Sequence, residues 1–130
     1  MPRAYTIATA ALALHVSDKW LDNTLSHYRV QGVTQERQGI SRRLSVESLT
    51  ILAIALTLVN DLETPLAKAL SLATALLASG GQLAFLSGAK IHVDIEHISA
   101  ALLERLEHAV EIAPLPRRGR PPQKTTGRLD

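Results

Sequence analysis

The chain has 130 residues, no cysteine, and aromatics at only 3% of the composition. That length suits one domain, the absence of cysteine excludes disulfides and thiolate metal sites, and the core must be built from Leu, Ile, Val and Ala. The formal net charge of +2 says little until it is divided along the chain.

Residues 1–113 carry nine Lys/Arg against eleven Asp/Glu, whereas residues 114–130 carry five Lys/Arg against one acid. Asymmetry of this kind points to a polyanion-seeking tail on a near-neutral body. Within the body, residues 29–43 hold Arg29, Arg37, Arg42 and Arg43 against Glu36, and residues 44–113 hold three Lys/Arg against eight acids. Two basic regions and one acidic surface are therefore expected. The opening "TIATAALALHVSD" is about as long as a signal-peptide core but runs into a turn-like segment. "LTILAIALTLV" stops at "NDLETP", well short of the 18–20 apolar residues that a membrane span needs, so a buried helix is expected and no membrane contact.

In chain order, Thr6 caps a short helix over residues 7–14, rich in Ala and Leu. His15 and Val16 break it. Ser17 caps a second helix over 18–28, with Asp18 in the first turn, where acids suit the positive helix end. Trp20, Leu21, Thr24, Leu25 and Tyr28 share its inner face; Asp22, Asn23 and Ser26 look outward. "RVQGVTQERQGISRRLS" has two glycines, alternating Val33 and Ile40 and no helical period, which predicts a hairpin or wing-like loop. Ser45 caps a helix over 46–60 that is apolar on nearly every face, hence central or in a dimer interface. Thr64 caps the next helix, 65–78, with Pro65 at its first position, and "SGG" ends it. "QLAFL" and "KIHVDI" flank "SGA" as a small β-hairpin. A last helix over 96–111 lines Ile98, Leu102, Leu106 and Ala109 on one stripe, with Leu103 and Val110 beside it. Pro114 and Pro116 release a tail too poor in apolar residues to fold alone.

"YTIATAALALHVSDKWLDNTLSHY" joins a Tyr-Thr-Ile opening, an Ala-rich first helix, a Val-Ser turn and a Ser-capped second helix. It resembles the helix-turn-helix half of the MerR-type winged-helix family. "RQGISRRLSVESLTILAIALTL" is similar to that family's basic wing and the helix entry after it, and "LETPLAKAL" resembles its next short helix. The resemblance covers roughly residues 5–77. It implies that Ser17, Lys19 and Asn23 face DNA from the second helix, while Arg29, Arg37, Arg42 and Arg43 grip phosphates. Arginine's fork suits phosphate oxygens, and such contacts position a protein without reading sequence; Asn reads adenine bidentately in the major groove. The chain departs from the pattern in several places. Asp18 and Asp22 stand on a helix that is usually basic, and carboxylates there oppose binding unless they accept from cytosine amines or hold the arginines in place. Leu44 replaces an aromatic at the wing-to-helix junction, and the family's long dimerisation coiled coil and effector cysteines are not seen.

"PRRGRPPQK" in turn resembles the AT-hook, with Arg118, Gly119, Arg120 and Pro121 as its core and Arg117 and Lys124 as phosphate-facing flanks. Only glycine lets a backbone lie on the floor of a groove about 6 Å wide, and arginines suit the narrow, electronegative groove of A·T-rich DNA.

"HVDIEH" places His92, Asp94, Glu96 and His97 close together, but a capping Asp94 at a hairpin-to-helix junction is the commoner use of such residues. No catalytic triad, phosphate-cradling loop or carboxylate pair is evident, so neither an enzyme, nor a cofactor, nor a metal is expected. The expected fold is mainly α with small β elements: a winged helix-turn-helix over 1–78, a β-hairpin plus C-terminal helix over 79–113 that packs or dimerises, and a basic tail over 114–130. The expected function is sequence-specific binding of double-stranded DNA by a small cytoplasmic, nucleoid-associated regulator. It would act as a homodimer on a palindrome, with an antitoxin as one version and a toxin or co-regulator as a protein partner. The alternative is a protein-interaction adaptor that works through its acidic helical surface and uses the tail as a non-specific nucleic-acid arm.

Overall fold

The structure, a computed structural model, describes residues 4–35 and 42–112. The element order is β1 (Ala4–Tyr5), α1 (Ile7–Leu14), α2 (Asp18–His27), β2 (Val33–Thr34), β3 (Arg43–Ser45), α3 (Val46–Leu62), α4 (Leu66–Ala78), β4 (Gln82–Ala84), β5 (Lys90–His92) and α5 (Ile95–Ile112). The fold is mainly helical with two small antiparallel sheets, ordered β1-β3-β2 and β4-β5.

The helices start where hydroxyl and carboxylate side chains can take up orphan backbone donors. Thr6 Oγ1 accepts from Thr9 N at 3.2 Å, Ser17 Oγ from Trp20 N at 2.9 Å, Ser45 Oγ from Ser48 N at 3.1 Å, and Asp94 Oδ1 from His97 N at 3.0 Å. The α4 start differs from expectation. Pro65 occupies the cap position and there is no side-chain cap. The Thr64 N–H donates to Leu58 O at 3.2 Å and helps to close α3, and Thr64 lies one residue before the cap position.

α3 is central, as its all-round apolar sequence requires. An unbroken run from Ser48 to Ala55 is buried, with Leu58, and α3 packs on α4, α5 and α1. Ala10, Ala11 and Ala13 are almost fully buried; their small side chains let α1 lie close against α5 and α3. On α5 the stripe Leu102, Leu106 and Ala109 is buried, while Leu103 and Val110 remain exposed. One buried cluster runs from Tyr5 to Ala109 and includes residues on both sides of position 78. Arg105 adds a polar tie between α1 and α5: its Nε donates to Ala13 O at 2.6 Å, a cation placed at a helix C-terminus.

The second hairpin has shorter strands than its sequence suggests. Register pairs Gln82 with His92, Leu83 with Ile91 and Ala84 with Lys90. Phe85 and Leu86 belong to the turn, where Phe85 N donates to Ala89 O at 2.8 Å and Gly88 N to Phe85 O at 2.9 Å. Both side chains are consequently exposed. Among the described residues, no helix is long and apolar enough to cross a membrane.

Candidate nucleic-acid interface

α1 and α2 meet at a tight turn. His15 closes α1 in the left-handed conformation, with φ 60°, and two residues later Ser17 opens α2. Leu21, Thr24 and Leu25 bury one side of α2. The opposite side leaves Asp18, Lys19, Asp22, Asn23, Ser26 and His27 exposed. Two of these groups are used within the helix: Ser26 Oγ donates to Asp22 O at 2.9 Å, and His27 Nδ1 to Asn23 O at 2.8 Å.

The first sheet holds the basic segment beside this face. Leu44, fully buried, pairs with Tyr5 on one side and Val33 on the other. Its neighbours in sequence therefore lie at fixed positions: Arg43 opposite Thr34, and Arg42 at the sheet's end. Gly32 makes the return of the chain possible. Its φ is +90°, its carbonyl accepts from Ser45 N at 3.1 Å, and a Cβ there would collide with Ser45 Oγ.

Arg42 then reaches across to α2. Its Nη1 donates to Asp22 Oδ1 at 2.6 Å and its Nη2 to Ser26 Oγ at 3.3 Å. The Arg42 side chain is 20% exposed and that of Asp22 56%. This is the one ion pair among the described residues, and it removes one of the two carboxylates that set the α2 face against a polyanion. Asp18 and Lys19 are exposed in the first turn of α2, Arg29 just past its end and Arg43 on β3, and none of the four makes an ion pair among the described residues. A groove of about 310 Å³ runs from the end of α2 to β2, with Arg29, Arg42 and Gln35 on its walls.

The residues singled out in the sequence thus fall into three groups. Lys19, Asn23, Arg29 and Arg43 are exposed, and among the described residues their side-chain donors have no partner. Ser17 and Arg42 are exposed or half-buried but already bonded, to Trp20 N and to Asp22. Arg37, and the tail residues Arg117, Arg118, Gly119, Arg120, Pro121 and Lys124, lie outside the described residues. Ser26 was not singled out as a site residue. Its signal is the spacing Asp22-x-x-x-Ser26, which sets an acceptor pair on one helix face. Elsewhere, His92, Asp94 and His97 form no metal cluster: among the described residues no three His, Asp or Glu side chains are placed to hold an ion.

No protein-family model, no curated protein and no solved structure matches the chain.

Proposed function

We propose that the chain is a DNA-binding protein of the winged helix-turn-helix kind, a small transcriptional regulator that reads duplex DNA with α2. The observation that carries this reading is the Asp22–Arg42 pair. It neutralises a carboxylate on the exposed face of α2 and ties that face to the basic segment leading into β3. Asn23 and Lys19 stand ready for base edges and Arg29 and Arg43 for phosphates. The basic segment with Arg29, Arg37, Arg42 and Arg43 then grips phosphates as a wing does, and the Arg118-Gly119-Arg120-Pro121 tail adds minor-groove grip. The protein reads its operator as a homodimer, since two half-sites multiply a weak single-head affinity.

The test is titration of the whole chain with A·T-rich and G·C-rich duplexes across a salt series, followed by anisotropy. Binding that weakens with salt and differs between duplexes supports the proposal. No binding to either duplex at low salt refutes it.

A second reading draws on a different surface. Leu103 and Val110 are exposed on α5 beside Glu104 and Glu107, and Phe85 and Leu86 are exposed at the β4–β5 turn. An apolar stripe with an acidic rim suits a protein partner with a basic rim, such as a toxin. Pull-down with and without Leu103→Asp separates this role from DNA binding, which that substitution leaves intact.

A further inference from the structure

A groove of about 710 Å³ lies between the α1–α2 turn, α3 and α5. Trp20, Leu56, Val59 and Ile98 give it apolar walls, and all four are partly buried against the core. Arg105 stands on its α5 wall and Asp61 on its α3 wall. The volume falls within the range of small-molecule sites, roughly 300–1,000 Å³, whose usual make-up is apolar walls with a few placed polar groups.

The informative group is Arg105. It is half-buried. Its Nε is satisfied by Ala13 O at 2.6 Å, yet among the described residues no carboxylate pairs with it and its Nη donors have no protein acceptor. A guanidinium carries five N–H donors in a rigid fork, and withdrawing a cation from water without a counter-charge is unfavourable. The bond to Ala13 restrains the guanidinium at the junction of this groove and a smaller one lined by Leu12, His15, Glu104 and His108, and the free donors belong to a side chain that also borders the apolar walls. That is the geometry for bidentate capture of a carboxylate. Asp61 on the facing wall opposes a second negative charge.

We propose that this groove binds a small monocarboxylic acid with an aryl or branched-aliphatic body, the carboxylate on Arg105 and the body against Trp20, Leu56, Val59 and Ile98. Dicarboxylates and phosphate esters are disfavoured by Asp61. Trp20 belongs to α2, so the occupied groove touches the same helix that carries Lys19 and Asn23 on its exposed side. The binding site itself does not depend on the proposed function.

Trp20 is the chain's single tryptophan, which makes its emission a direct reporter. The full chain is titrated with phenylacetate and isovalerate as probes, with neutral phenylacetamide and dianionic phenylmalonate as comparators, in the absence of DNA. A saturable change with a monocarboxylate is expected, at least about tenfold tighter than with phenylacetamide, since a charge-assisted hydrogen bond is lost in the amide. Arg105→Gln weakens the monocarboxylates by a similar factor and leaves phenylacetamide unchanged. Because Arg105 also closes α1, Ala101→Phe supplies a second variant that fills the groove while leaving the Arg105 residue in place; it abolishes the response while far-ultraviolet dichroism stays that of the parent. The proposal is overturned if neither monocarboxylate gives a saturable change, if phenylacetamide matches them, or if Ala101→Phe responds like the parent. Since no DNA is present, failure here leaves the DNA titration standing, and failure there leaves this result standing.

Discussion

Asp22 and Arg42 are 20 residues apart in sequence and 2.6 Å apart in space. Between them lie the end of α2, the Gly32 return, β2 and the basic loop. The pair fixes where the entry to β3 lies relative to the exposed face of α2, and it sets one cation against one of that face's carboxylates.

The first prediction concerns this pair. Asp22→Asn keeps the side chain's size and removes its charge, which releases Arg42. Affinity for duplex DNA should rise at low salt, and the slope of log K against log[salt] should steepen by about 0.9, the value of one added phosphate contact. Discrimination between A·T-rich and G·C-rich duplexes should stay as it was, because a gain independent of sequence raises both affinities by the same factor. Stability should change by less than about 1 kcal/mol, since Asp22 is largely in water. Unchanged affinity and slope would show that the pair has no bearing on DNA.

Arg29 and Arg43 are exposed and make no ion pair among the described residues. Arg29→Ala and Arg43→Ala should each reduce the salt slope by about 0.9 and weaken all duplexes alike. Neither should shift the urea midpoint appreciably, as surface substitutions of this kind stay within about 0.5 kcal/mol. Asn23→Ala should do the converse: a similar salt slope, with lost discrimination between duplexes. If Asn23→Ala and the arginine variants behave identically, α2 is not the reading element.

What was legible in the sequence was local. The Thr6, Ser17, Ser45 and Asp94 caps all lie within three residues of the donor they satisfy, so residue type and spacing identify them. The central place of α3 follows from apolar residues on every face. The partner of Asp22 was not legible: several arginines follow it, and only the register of Leu44 between Tyr5 and Val33 brings Arg42, rather than Arg29 or Arg43, to α2. Arg105 was invisible for the same reason, since its acceptor, Ala13 O, is 92 residues away. Thr64 differs because the helix starts one residue later than a hydroxyl cap predicts, with Pro65 at the cap position. The hairpin strands are shorter than the sequence predicts because Phe85 and Leu86 have strand-forming side chains, while the Gly88 turn uses the Phe85 backbone.

Gly32 supplies the third prediction. Ala at this position meets two penalties: a φ of +90° that L-residues resist, and a collision with Ser45 Oγ, the group that caps α3. Gly32→Ala should therefore cost about 2 kcal/mol, combining the backbone term with a weakened cap. Gly88 is the control, since its φ is +99° but nothing lies near its absent Cβ; Gly88→Ala should cost only the backbone term, about 1 kcal/mol. Urea unfolding of both variants checks the ordering. Equal costs would mean that Ser45 moves aside freely and that the Gly32 return does not constrain the start of α3.

The ends of α1 and α3 offer the reverse experiment. His15 and Glu63 both sit in the left-handed region, at φ 60° and 54°, where a Cβ is strained and glycine is the usual helix terminator. Glu63 is the cleaner case, because its side chain is exposed and makes no ion pair among the described residues, whereas His15 borders the Arg105 groove. Glu63→Gly should stabilise the protein by about 0.5–1 kcal/mol, the relief of strain exceeding the extra entropy of glycine in the unfolded chain. Glu63→Ala retains the Cβ and should give no such gain. Denaturant midpoints of the two variants decide the matter. If alanine stabilises as much as glycine, the benefit comes from removing a carboxylate near the negative C-terminal end of α3, and the left-handed backbone at position 63 is not under strain.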